Sequence, residues 1–152
     1  MRGILIILIW LSTKSLFGQV DEVVLADTVK FISAVVSELK SERMTQEAVR
    51  LNFDDCNLEY TQSHTNRRVD FIEFWLADLD EEKMRLEFNE KASEWSLKLV
   101  CKEEKRRIQA TGSGMISKLY IYSSEKEPLI SLGNALFYAI QNCKGLDRFK
   151  DR

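Results

Sequence analysis

The chain is poor in the residues from which most catalytic and metal centres are built. Its 152 residues include one histidine, one proline, six glycines and three cysteines. A lone histidine excludes zinc sites made of several imidazoles. His64 itself lies in the polar stretch Gln62 to Arg67, with no acid or cysteine placed as a catalytic neighbour, and reads as a turn residue rather than a general base. The cysteines, Cys56, Cys101 and Cys143, are too dispersed for a Cys-x-x-Cys zinc or redox motif. The glycines build no phosphate loop, since Gly112-Ser113-Gly114 is not followed by Gly-Lys-Ser/Thr, and no Gly-x-Ser-x-Gly elbow occurs. A calcium loop starting at Asp78 fails where Lys83 replaces the required glycine and Asn89 the bidentate acid. No cofactor is expected. Charge of one sign is lacking too: Lys and Arg total 22 against 24 Asp and Glu, a net of −2 with both signs interspersed, which argues against a nucleic-acid binder.

Long apolar runs are also missing. The longest, Ile4 to Leu11, follows Arg2 and would cover about 12 Å as a helix, against a hydrocarbon core of about 30 Å. A cationic start, a short apolar core and a small residue before a polar chain form the tripartite pattern of a signal peptide over residues 1–18, cleaved after Gly18. The junction Phe17-Gly18-Gln19 resembles those of Bacteroidota-type Gram-negative bacteria. Export to the periplasm or the exterior is therefore expected, with no stable membrane span left after processing. No cysteine stands at the junction to carry a lipid. The remainder divides into one domain over residues 19–145 and a charged tail over 146–152. An oxidising compartment would permit one disulfide among the three cysteines, and three pairings are open. Cys101 continues the alternation Trp95, Leu97, Leu99 and reads as a buried hydrophobe, so Cys56 with Cys143 is the preferred pair.

What is present is periodicity. Leu25, Val29, Ile32, Val36 and Leu39 recur at helical steps, flanked by Val24, Phe31 and Val35, and predict a helix packed within the chain. Leu51 to Thr61 reads as one extended segment whose face switches at Asp54-Asp55 through a bulge or bend. Val69 to Leu79 is apolar on both faces, the mark of a strand that is central in its sheet or sits under two layers. Met84-Leu86-Phe88 and Trp95-Leu97-Leu99-Cys101 alternate with polar residues as half-buried strands. Lys102 to Lys105 reads as a hairpin turn, Arg106 to Thr111 returns, and Ile116 to Ser123 forms a last strand. Pro128 then opens a second amphipathic run through Leu132, Leu136, Ala139 and Cys143, stopped at Lys144-Gly145. The expected fold is α+β: an N-terminal helix, an antiparallel meander of about six strands forming a curved sheet or partial barrel, and a C-terminal amphipathic helix.

Over Leu51 to Gly145 this element order resembles pleckstrin-homology-like barrels, in which a bent meander is plugged by a C-terminal helix. The leading helix and the count of six rather than seven strands depart from that pattern.

Basic clusters at Arg67-Arg68 and Lys105-Arg106-Arg107 read as solvated surface. Phe74, Trp75, Tyr120 and Tyr122 lie on strands that alternate poorly, so they are candidate residues for an outward ligand or partner surface; Trp95 joins them as a candidate through the cavity expected between Trp75, Trp95 and the closing helix if the sheet curls into a barrel. These features together lead one to expect an exported, non-enzymatic binding or accessory module that holds a protein partner or an apolar ligand. Two alternatives are a small periplasmic hydrolase using paired carboxylates from Asp54, Asp55, Asp78 and Asp80, and a structural homodimer formed through the first helix.

Overall fold

The computed structural model describes residues 26–42, 44–52 and 56–143. The expected signal peptide, the C-terminal tail, and Leu25, Asp54 and Asp55 lie outside that range. Helix α1 runs over residues 26–38, and Ile32 and Val36 from its apolar stripe are wholly buried in the chain's own core. The strands follow as β1 (Met44–Asn52), β2 (Asn57–His64), β3 (Val69–Trp75), β4 (Arg85–Asn89), β5 (Glu94–Val100), β6 (Ile108–Ala110), β7 (Gly114–Ile116) and β8 (Lys118–Ser123). Helix α2 (Lys126–Cys143) closes the described chain. Its Pro128 sits in the first turn, where no amide donor is needed. The architecture is α+β with antiparallel pairing throughout, as the sequence led one to expect.

The strands do not form one curved meander. They divide into a five-stranded sheet of order β1-β2-β3-β6-β7 and a three-stranded sheet of order β4-β5-β8. The division is made at two corners. After β3 the chain turns through Leu76–Asp78 and Glu81–Lys83, carrying the wholly buried Leu79 into a bridge with Cys101. Asp80 caps the second turn by accepting from the Glu82 amide at 3.2 Å. After β5 a turn over Lys102–Glu104, with Glu103 and Glu104 both at φ 54°, returns the chain to the larger sheet. Lys102 to Lys105 is thus a crossover between sheets rather than a hairpin. Because β3 pairs with β6 and β5 with β8, the one continuous bent meander of a pleckstrin-homology-like barrel is not reproduced.

One further expectation is corrected. Leu51 and Leu58 are register partners across a β1–β2 hairpin, so Leu51 to Thr61 belongs to two paired strands and not to one extended segment. β3 is central, one of the two positions that its two-faced apolar pattern predicts, with β2 and β6 on either side and its Ile72 and Phe74 face covered. On the other face Phe71 is 60% exposed.

The core is continuous between both sheets and both helices. Tyr60 and Phe74 enter it from the larger sheet, Leu97, Leu99 and Ile121 from the smaller, and Leu129, Leu132, Leu136 and Ile140 from α2. Full burial of each such side chain is worth about 1.5–3 kcal/mol. Cys56, at the start of β2, is bonded to Cys143, at the end of α2, with 6.0 Å between Cα atoms. Cys101 is the free thiol, and it is buried. Burial pushes its pKa up, so it behaves as a small hydrophobe, as its place in the strand alternation predicted.

Candidate functional site

Helix α2 presents three strips of surface. Leu129, Leu132, Leu136, Ala139 and Ile140 face the core, while Phe137 and Tyr138, which follow Leu136 at about 100° and 200° around the axis, are left outside. Tyr138 leans to the α1 side. There, with Phe31 of α1, it walls a groove of about 600 Å³ whose remaining lining is Ala135 and the small polar side chains of Asp27, Thr28, Ser131 and Asn134. Phe31 is 49% exposed and Tyr138 44%. Phe137 leans the other way, over a second groove of about 290 Å³ between α2 and β4, lined by Met84, Leu86, Leu97, Ile130 and Gly133 among others. The Gln141 amide donates to Glu81 at 3.2 Å near one end of this second groove. Trp95 lies toward the opposite end, packed on Phe88 with ring centres 4.9 Å apart and carrying the Lys126 ammonium at 5.0 Å over its ring.

The candidate residues named from the sequence do not converge on one site. Phe74 is 1% exposed and packs in the core opposite Leu58, so it is no part of a ligand surface; it shares the parity of Ile72, and that is the covered face of β3. Trp75 is half-buried on the opposite face, across from Asn57. Trp95 belongs to the other sheet, on the face shared by Leu97 and Leu99. The two tryptophans therefore sit in different sheets, with Trp95 packed against the core. Tyr120 and Tyr122 do come together. Both are half-buried on the face of β8 away from the core, their rings stacked with centres 6.3 Å apart, and Lys98 lies 5.9 Å over Tyr120. Lys98 also donates to Glu87 at 3.0 Å, a bond that holds its ammonium above its ordinary pKa. This side of the sheet is thus satisfied by its own ion pair and ring contacts.

Of the acids proposed for hydrolysis, those in the described residues have structural partners of their own. Asp78 is buried against the Arg107 guanidinium at 2.5 Å, Asp80 serves as a turn cap, and Asp54 and Asp55 lie outside the described residues. Glu59 and Glu73, which the sequence did not single out, are register partners on the outer face of the larger sheet, beside Phe71. That face carries a groove of about 610 Å³ with Thr61, Gln109 and Thr111. His64 has an acid neighbour that its turn-like context concealed: its Nε2 lies 2.9 Å from Asp70, which also accepts from Arg68 at 2.6 Å. Partial burial opposes the Asp70 charge, but the Arg68 and His64 donors and charges outweigh it and hold the carboxyl below its ordinary pKa. No group of acids, histidines or cysteines able to hold a metal ion occurs among the described residues.

The side chains that sequence reasoning missed are Phe137 and Tyr138. The available signal was their position beside Leu136 in a helix whose core stripe is already complete without them. Phe31 had been assigned to the flank of the α1 core stripe; it opens instead on the groove. Comparison with family models, with curated proteins and with solved structures finds no match to this chain.

Proposed function

We propose that the protein is an exported binding module, without catalytic chemistry of its own, that receives an apolar ligand group or an apolar side chain of a protein partner in the groove between α1 and α2. The observation that carries this reading is the meeting of Phe31 and Tyr138, from two different helices, as half-exposed rings across one concave, small-residue floor. Large apolar side chains left in water at a shared concavity mark a recognition surface, and a volume of about 600 Å³ falls within the range of small-ligand pockets. The polar rim of Asp27, Thr28, Ser131 and Asn134 supplies the few directional groups that orient a bound group. The binding element is therefore the helical layer, in place of the curved sheet that the sequence suggested. Export is supported by the Cys56–Cys143 bond, which fits an oxidising compartment.

The test is a fluorescence titration with anilinonaphthalene sulfonate, an apolar reporter. The native protein is expected to bind it saturably, and Phe31→Ala with Tyr138→Ala to weaken binding about tenfold with an unchanged circular-dichroism spectrum. Equal binding by the native protein and the folded double variant would dismiss the groove.

A further inference from the structure

β4 is the outer strand of the smaller sheet. Among the described residues it pairs with β5 alone, and Arg85 to Asn89 make no backbone–backbone hydrogen bond beyond that ladder. An unpaired edge of this kind is a template for a further strand. Its sequence states which strand fits. Met84-Arg85-Leu86-Glu87-Phe88 places Met84, Leu86 and Phe88 toward the α2 side, and Arg85 and Glu87 on the outer side. Phe88 is 47% exposed, and Leu86 borders the groove beneath Phe137.

We propose that β4 pairs with β4 of a second copy of this chain, antiparallel about a twofold axis through Leu86, so that two three-stranded sheets join into one of six strands. In this register Arg85 of one copy lies opposite Glu87 of the other, twice over, Leu86 meets Leu86, and Phe88 meets Met84. Every outer-face pair is then of opposite charge and every inner-face pair is apolar. Pairing is self-complementary in the way a twofold interface requires. The register also meets the backbone's needs whichever alternate residues point their amides outward: either the two Arg85–Glu87 pairs or the central Leu86 pair exchange hydrogen bonds. Charges on an edge strand ordinarily discourage pairing. Here their opposite signs, two residues apart, turn that device into a selection rule that admits this strand in this register. The apolar side chains of the incoming β4 lie over the α2–β4 groove, on the opposite flank of α2 from the groove between the helices. The dimer therefore stands or falls independently of the binding function above.

The experiment is sedimentation velocity on the full exported chain over a hundredfold range of concentration, with Arg85→Glu, Glu87→Arg and the double swap. The wild type is expected to show a concentration-dependent dimer. Either single reversal places like charges opposite one another at two positions and weakens association at least about tenfold. The double swap restores it. Most discriminating is the mixture: Arg85→Glu and Glu87→Arg proteins, each monomeric by itself, pair with each other, because all the charges in the mixed register are again opposite. That result also shows that both variants are folded. A wild type that stays monomeric throughout, single variants that dimerise as well as the wild type, or monomeric singles that fail to pair when mixed would each overturn the proposal.

Discussion

The Cys56–Cys143 bond is expected to dominate the stability of this protein. It ties the first residue before β2 to the last residue of α2, across a sequence separation of 87, so it closes a loop that holds every described element except α1 and β1. In the chain-entropy account, closing a loop of that length removes about 15 cal/mol/K from the unfolded state, or about 4.6 kcal/mol at 25 °C. Against a total stability of about 5–15 kcal/mol for a domain, the loss would leave a marginal fold. Replacing both residues by Ala also removes two buried sulfurs, and this cost must be separated from the crosslink. Cys101 supplies the control, being equally buried and bonded to nothing: Cys101→Ala reports the packing loss of about 1 kcal/mol per site. Urea unfolding of the wild type, the Cys56→Ala/Cys143→Ala variant and Cys101→Ala, all in the absence of reductant, gives the comparison. The double variant should lose about 6–7 kcal/mol, the crosslink and two packing losses together, and show a steeper dependence on urea, because its unfolded chain exposes more surface. A loss no greater than twice that of Cys101→Ala, with an unchanged slope, would refute the crosslink.

Two further outcomes follow from the fold. Phe74→Ala should cost about 3–5 kcal/mol, and Phe71→Ala, three residues away on the open face of the same strand, within about 0.5 kcal/mol; equal losses in thermal unfolding would show that the outer face of β3 is covered after all. Asp70 has its pKa lowered in the folded state from an ordinary 3.8, so its contribution to stability is complete above that value and is lost as the pH falls through it toward the folded pKa. Melting temperature measured from pH 6 downward should therefore drop more steeply for the wild type than for Asp70→Asn below about pH 4, and parallel curves would dismiss the Arg68–Asp70–His64 cluster as a source of acid sensitivity.

Local order in this chain is legible from the sequence, and strand partners are not. The two helices are visible because each has a core stripe at steps of three and four. β4 and β5 are visible because their residues alternate strictly. The disulfide was within reach because Cys101 sits on the parity of Leu97 and Leu99, which removes it from the pairing. Sheet partition was hidden because it is decided at corners. The turn at Leu76–Asp78 continues the apolar pattern of the strand before it, the turn at Lys102–Glu104 has the composition of an ordinary hairpin loop, and nothing local tells a chain that reverses from one that crosses to another sheet. The hairpin between β1 and β2 was missed because parity switches identically at a bulge and at a tight turn. Trp75 shows the same limit at the level of a site. A strand apolar on both faces reads as central or doubly covered; β3 is central with one face open, and only the placement of the other elements decides between the two.

Large apolar side chains reach solvent in this chain from α1 and α2 as well as from the strands. A strand offers two faces, so surplus aromatics on a strand can be placed only in or out. A helix offers its whole circumference, and at about 100° per residue the pair after Leu136 is turned to opposite flanks of the same core stripe. Phe137 and Tyr138 thus put apolar surface on both sides of α2, next to β4 in one direction and α1 in the other. The two flanks differ in what they can recognise. Beside β4 there is unpaired backbone and an ordered row of opposite charges, features that select another strand. Beside α1 the backbone is saturated by helical bonds, leaving shape and apolar area to do the selecting. Reversing Arg85 should therefore change assembly and leave the groove of Phe31 unaffected, whereas truncating Phe31 and Tyr138 should empty the groove without changing the sedimentation of the chain.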